Sequence, residues 1–193
     1  GRLPEAEECI KESLEKDSSG FHPLLLRTRL LLAQSRFDEA EQTARAALAR
    51  KSDTPAAWQG LALVLQTRRA EAEKAKDAKL VASLNAALIE AHEGTLRLEP
   101  RQLQVLVNLA ETRLAGPPSA ESAGKARDEL DRALELMPEH VSALNNRAIA
   151  LLRLAMFARD EGRAEETERN MRDALASVEK AISVAAVRYG KDY

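Results

Sequence analysis

The sequence has 193 residues, of which 45% are hydrophobic and 31% are charged, and this composition excludes both a disordered chain and a membrane-embedded one. Its 29 basic and 31 acidic residues are interleaved and leave a net charge of −2, so we expect no basic surface for nucleic acid. Aromatic residues make up only 3% of the chain and alanine is abundant, which favours packed helices over strands.

The first predicted helix covers residues 4–17 and places Ala6, Cys9, Ile10 and Leu14 on one side. No helix that could pair with it comes before it, so we interpret the chain as a fragment that starts inside a repeated unit. Cys9 is the single cysteine, which excludes an internal disulfide but does not decide the cellular compartment. We expect its thiol to be a small core group rather than a nucleophile.

Helical periodicity continues through the rest of the chain. The longest apolar stretch, LLLRTRLLLA, is interrupted by Arg27 and Arg29, so it is too short to cross or insert into a membrane. Pro55 behind Thr54 is typical of a first-turn proline that follows a helix cap. After the first helix, the pattern predicts helices over 22–34, 37–51, 55–75, 78–98, 102–115, 120–136, 139–160 and 164–186.

Turn residues separate these helices. The stretch from Gly116 to Ser119, GPPS, is the strongest loop in the sequence, and Pro138 ends the helix that follows this loop. Asp77 is a predicted N-cap after the turn at Lys76, and Gly162 marks the corresponding turn near the end of the chain. Every predicted turn is too short to be a linker between independent domains.

The helices form a repeating pattern. Each first helix of a pair has a bulky residue, namely Leu24, Trp58, Leu106 and Leu144, and four residues later a small one, namely Thr28, Ala62, Ala110 and Ala148. Small residues at matching positions allow neighbouring helices to approach closely, and we expect the Trp58 ring to lie buried between repeats. In each second helix the apolar stripe begins at a small or apolar residue. These residues are Ala6, Ala40, Leu88, Ala126 and Ala174, and successive ones are 34, 48, 38 and 48 positions apart in the sequence.

The variation in step length lies inside the pairs. The connection from one pair to the next always measures ten residues, as from Leu48 to Trp58 and from Leu134 to Leu144. The second and fourth complete pairs therefore hold fourteen extra residues each, which is about two turns on each helix. We predict two hairpins that are longer than the others by roughly 10 Å.

The chain resembles the tetratricopeptide repeat (TPR) family over nearly its whole length. The residues that carry the resemblance are Trp58, Leu61, Ala62 and Leu65 in one first helix, and Ala126, Leu130, Ala133 and Pro138 in one second helix. Ser18, Ser52 and Ala186 replace the closing proline, and His92 and Thr95 occupy apolar positions. The resemblance implies an all-α, right-handed α-solenoid of antiparallel helix hairpins. It also implies one solenoid domain over 1–193, with a half repeat at 1–20, repeats at 21–54, 55–102, 103–140 and 141–188, and a tail at 189–193.

In this family the first helices line a concave groove that binds other proteins. The resemblance therefore implies a protein-interaction scaffold that binds a peptide or a helix, through groove residues carried over by position: Arg29, Gln59, Leu63, Val107, Asn108, Glu111, Asn145, Asn146, Ile149 and Arg153. The alternative is an assembly module that associates with itself or docks within a larger enzyme or secretion complex. The reason for this alternative is that the helices at 4–17 and 164–186 lack a neighbouring element that would cap them.

Candidates for catalysis are few. His22, His92 and His140 fall in different repeats, and none has a metal-binding partner at the usual spacing. We expect all three to be structural. The sequence predicts no enzyme activity, no metal and no cofactor.

Overall fold

The structure is a computed structural model that describes Glu8, residues 10–13, Glu15 and residues 20–190, with side chains up to residue 187. In these residues the regular secondary structure is α-helical. Residues 10–13 are helical, whereas Ala6, Cys9 and Leu14 of the first predicted helix lie outside the described residues. The helices that follow are α1 Phe21–Ala33, α2 Phe37–Arg50, α3 Pro55–Lys74, α4 Ala78–Leu98, α5 Leu103–Ala115, α6 Ala120–Leu136, α7 Val141–Asp160 and α8 Ala164–Tyr189.

The chain divides into two compact units, Gly1–Pro100 and Arg101–Tyr193. In the first unit α1 packs on α2 and α3 packs on α4, and the two hairpins meet where α2 contacts α3 and α1 contacts α3. The second unit repeats this arrangement with α5 to α8. Short turns between contacting helices make each pair an antiparallel hairpin.

The observed helices begin and end within three residues of their predicted positions. Helices α4 and α6 have the predicted bounds, and α8 ends three residues later than predicted. Helix α7 begins at Val141 rather than at residue 139, because His140 caps it: the His140 Nδ1 accepts a hydrogen bond from the backbone N–H of Ala143 at 3.1 Å. A side-chain acceptor at this position satisfies a backbone donor that the helix itself cannot satisfy.

The two extended hairpins are confirmed. Helices α1 and α5 have 13 residues, whereas α3 and α7 have 20, which adds about 10 Å at about 1.5 Å per residue. The turns at the ends of the long hairpins contain Lys76 with φ 57° and Gly162 with φ 73°. Both are left-handed conformations that close a helix before the chain reverses.

Asp77 caps α4 as predicted, since its Oδ1 accepts a hydrogen bond from the Leu80 N–H at 2.9 Å. We expect Asp77→Ala to lower the free energy of unfolding by about 1 kcal/mol, because one N-terminal donor loses its acceptor. Thr54 occupies the N-cap position of α3 without a side-chain hydrogen bond, so Thr54→Ala is the matched control. Urea denaturation of both variants checks this, and equal losses would contradict the assigned role of Asp77.

The small residues that recur in the first helices are buried. Thr28 and Ala62 in the first unit and Ala110 and Ala148 in the second are each at most 5% exposed. The buried Thr28 hydroxyl donates to the Leu24 carbonyl at 2.8 Å, so its polar group is satisfied inside the helix. The small residues at matching repeat positions are therefore buried in both units.

Trp58 is only half-buried and its ring lies against the second helix of its own hairpin, so the prediction of a ring buried between repeats is wrong. Its ring lies against Gly94 of α4, and the Arg97 guanidinium lies 5.5 Å from the ring centroid. The indole Nε1 donates to the Ser52 carbonyl at 2.9 Å. These contacts fix the ring between α4 and the turn that precedes α3.

Candidate functional site

The second unit presents an exposed apolar row on α7. Ile149, Leu152 and Met156 are 45%, 47% and 55% exposed. They are three and four residues apart, so they lie along one face of the helix. We call these three residues the α7 stripe, and its helix lies beside α5.

Amide side chains accompany the α7 stripe. The Asn146 Nδ2 donates to Glu111 Oε1 at 2.8 Å and joins α7 to α5. The Gln104 Nε2 donates to Asn108 Oδ1 at 2.8 Å, so the Asn108 amide keeps its own donors available. Asn145 is exposed on the same helix as the α7 stripe. Together these groups offer donors and acceptors beside an apolar surface.

Arg153 braces the two helices instead of presenting a free cation. Its Nη1 donates to the Leu114 carbonyl at 2.7 Å, and its side chain is half-buried. Leu114 lies in the last turn of α5, where carbonyl groups lack helical partners and attract positive charge. The bond fixes α7 against the end of α5, and so it fixes the position of the α7 stripe.

Val107 is the exception among the residues that the resemblance places on this surface. It is only 1% exposed, so its side chain is closed to a ligand. The reason is local, since Val105, Leu106 and Leu109 are buried as well and α5 is apolar around most of its circumference. We therefore leave Val107 out of the candidate site.

The first unit has a smaller candidate surface. Arg29 of α1 and Gln59 and Leu63 of α3 line a pocket of about 200 Å³. Gly60 lies at its floor, where a Cβ would come 3.0 Å from the Leu25 Cδ2, so the glycine lets the two helices approach. A pocket of this size takes one side chain of a ligand rather than a whole helix.

A second exposed apolar row lies on α8. Met171, Leu175, Val178 and Ile182 are 48%, 59%, 37% and 63% exposed, and we call them the α8 stripe. Leu130 of α6, which holds the same repeat position as Val178, is fully buried. The periodicity identified these residues as apolar, but only the structure shows which of them remain open.

The histidines have different surroundings. His140 caps α7, His92 is 3% exposed, and His22 is exposed beside the Phe21 ring at 5.1 Å between centroids. Among the described residues no three His, Cys, Asp or Glu side chains are placed to hold a metal ion. In the same part of the chain, no helix has the length and apolar content needed to span a bilayer.

The described helices pair into antiparallel hairpins of the kind found in TPR folds, and the all-α hairpin fold predicted from the sequence is confirmed. The MamA RS-1 ArsTM double mutant has a TM-score of 0.70 at 13% identity, with 97% of this chain and 88% of that chain covered. A structure of the MamA protein has a TM-score of 0.65 at 12% identity, with coverage of 94% and 83%. A thermophilic TPR protein of Thermus thermophilus has a TM-score of 0.56 at 18% identity, with coverage of 99% and 90%.

At these identities the likeness concerns the fold alone. No protein-family model matches the sequence, and no curated protein matches it significantly.

Proposed function

We propose that this chain is a non-catalytic protein-interaction scaffold that works without a cofactor and binds a peptide or helix on the surface formed by α5 and α7. The observation that carries this proposal is the α7 stripe, three large apolar side chains left about half exposed beside a row of amides. Exposed apolar rows with a polar border are typical of protein-binding surfaces.

The chemistry of this surface fits a segment with spaced apolar side chains. The α7 stripe covers about 10 Å along the helix, which matches two or three apolar anchors of a docked helix or strand. The Asn146 Nδ2 already donates to Glu111, which leaves the Asn146 carbonyl oxygen as an acceptor for the ligand. The amide donors of Asn108 serve the ligand backbone in the same way.

The pocket of the first unit supports the same role separately. Arg29 and Gln59 are exposed at its edge, and Leu63 is 44% exposed. This combination suits a single apolar side chain beside an acidic or amide group of a partner. We propose it as an additional contact for a protein partner.

A displayed library of random peptides, selected on the purified chain, tests the main proposal. We expect the selected sequences to share apolar residues at regular spacing. Leu152→Glu is expected to weaken the best peptide at least tenfold, because a carboxylate in the stripe loses hydration when an apolar anchor covers it. Asn108→Ala combined with Asn146→Ala is expected to weaken it while changing the melting temperature little.

Met137→Glu is the matched control. Met137 is 43% exposed, like Leu152, but it lies at the end of α6 rather than on α7. Binding measured by fluorescence anisotropy should be unchanged in this variant. Equal affinity of the wild type and Leu152→Glu would remove the α5 and α7 surface from the proposal.

The α8 stripe favours a second function, assembly by docking of α8 against another chain. Four large apolar residues are open along this helix. Repeat arrays normally cover such a face with a polar capping element.

A further inference from the structure

We propose that the α8 stripe pairs with the α8 stripe of a second copy of this chain, with the two helices antiparallel. This rests on the second function proposed above and names the partner of that surface.

The spacing of the α8 stripe is that of a coiled-coil seam. Met171, Leu175, Val178 and Ile182 follow one another at four, three and four residues. That alternation is the a and d pattern by which two helices interlock side chains. Because all four side chains are more than a third exposed, the seam is open to a partner.

The residues that α8 buries within its own unit are different from those of the seam. Ala174, Ser177 and Ala181 are at most 3% exposed, and the Ser177 hydroxyl accepts a hydrogen bond from Arg147 of α7 at 2.8 Å. At about 100° per residue these positions point about a quarter turn away from the seam. A second helix can therefore lie along the α8 stripe without displacing α7.

Two charged side chains beside the seam favour one kind of partner helix. Arg172 and Glu179 directly follow Met171 and Val178, so both lie on the edge of the stripe away from α7. Each is exposed, and neither forms an ion pair or hydrogen bond within the described part of the chain.

An antiparallel pair aligns these charges with their opposites. If Leu175 of one copy packs on Val178 of the other, Arg172 lies opposite Glu179 of the second copy. Two-fold symmetry makes the same ion pair again at the other end of the seam. In a parallel pair, Arg172 and Glu179 of one copy would instead lie opposite the other edge of the second copy's stripe. That edge holds the buried Ala174 and Ala181, which carry no opposite charge.

Charge reversal in the full chain tests the pairing, with sedimentation equilibrium over a range of concentrations as the measurement. We expect the wild type to dimerise. Arg172→Glu and Glu179→Arg should each raise the dissociation constant about tenfold, since two attractive pairs become repulsive. The double variant Arg172→Glu with Glu179→Arg restores opposite charges, so its dissociation constant should return to within about threefold of the wild type.

Substitutions on α8 distinguish specific pairing through the seam from nonspecific hydrophobic association. Ile182→Glu places a carboxylate inside the seam and should leave the chain monomeric. Val187 is 78% exposed on the same helix but lies off the seam, so Val187→Glu should dimerise like the wild type. Both substitutions are at exposed positions, and circular dichroism should show unchanged helix content.

Other outcomes overturn the pairing in distinguishable ways. A wild-type chain that remains monomeric at high concentration overturns it, and so does a dimer that the double charge reversal fails to restore. A monomer that captures a library peptide, with capture lost in Ile182→Glu, keeps α8 as a docking surface but replaces the second copy by another partner. Peptide binding by Leu152→Glu tests the role of the α5 and α7 surface independently of all these results.

Discussion

Gly94→Ala is expected to destabilise the protein by about 2 kcal/mol, although alanine is the better helix former by about 1 kcal/mol. An added Cβ at Gly94 would lie 2.3, 2.4 and 2.7 Å from three ring carbons of Trp58, far inside van der Waals contact. The ring cannot retreat freely, because its Nε1 is bonded to Ser52 and Arg97 lies over its face. Relief of the clash therefore breaks at least one of these contacts.

Gly94→Ala measured in a Trp58→Ala background shows whether the clash with the ring causes the loss of stability. Trp58→Ala alone should lower the free energy of unfolding by about 3 kcal/mol, at the lower end of the range for a large aromatic residue because the ring is only half-buried. In that background Gly94→Ala should become neutral or stabilising by up to about 1 kcal/mol. The coupling between the two positions should thus reach about 2 to 3 kcal/mol in urea denaturation.

Gly124→Ala is the control for helix propensity. Gly124 lies within α6, and a Cβ added there meets no atom within 4 Å. We expect this variant to gain about 0.5 to 1 kcal/mol of stability. Additive effects of Gly94→Ala and Trp58→Ala would contradict the close packing of the ring on α4.

Local patterns explain why so much of the fold was predictable. Helix bounds depend on apolar periodicity and on turn residues such as Asp77 and Gly162, and these signals lie within a few residues of the feature that they predict. The constant connection between hairpins placed the extra residues inside the second and fourth pairs. The observed lengths of α3 and α7 agree with that placement.

The candidate site was less predictable, because exposure depends on neighbours that are distant in sequence. Val107 and Asn145 hold the same repeat position, yet one is buried and the other exposed. The bond from Asn146 to Glu111 joins residues 35 positions apart, and the sequence gives no signal for it. His140 was recognised as structural, but its role as a helix cap required the backbone geometry.

His92 should make the protein sensitive to mild acid. Its side chain is 3% exposed on the apolar side of α4, and its Nε2 has no hydrogen-bond partner in the described part of the chain. Burial, together with the nearby positive charge of Arg69, lowers the pKa of His92 from 6.5 to about 4. The imidazole therefore stays neutral in the folded chain at pH values where it is protonated in the unfolded chain.

The sign of the effect follows from proton binding. Well above pH 6.5 both states hold a neutral imidazole, and the contribution of His92 to stability does not change with pH. As the pH falls from 6.5 towards 4, the unfolded state binds a proton that the folded state does not, so stability decreases. By about pH 4.5 the loss should reach about 2.5 kcal/mol, and below pH 4 it should level off as the folded chain binds the proton too.

The variants His92→Leu and His92→Gln isolate this contribution. Carboxylates also bind protons over this range, but they do so in the wild type and in both variants alike. We therefore expect the wild type to lose about 2.5 kcal/mol more than either variant between about pH 7 and about pH 4.5, measured by urea denaturation at each pH. Parallel pH profiles for all three proteins would show that His92 binds its proton equally well in the folded and unfolded states, and would contradict this prediction.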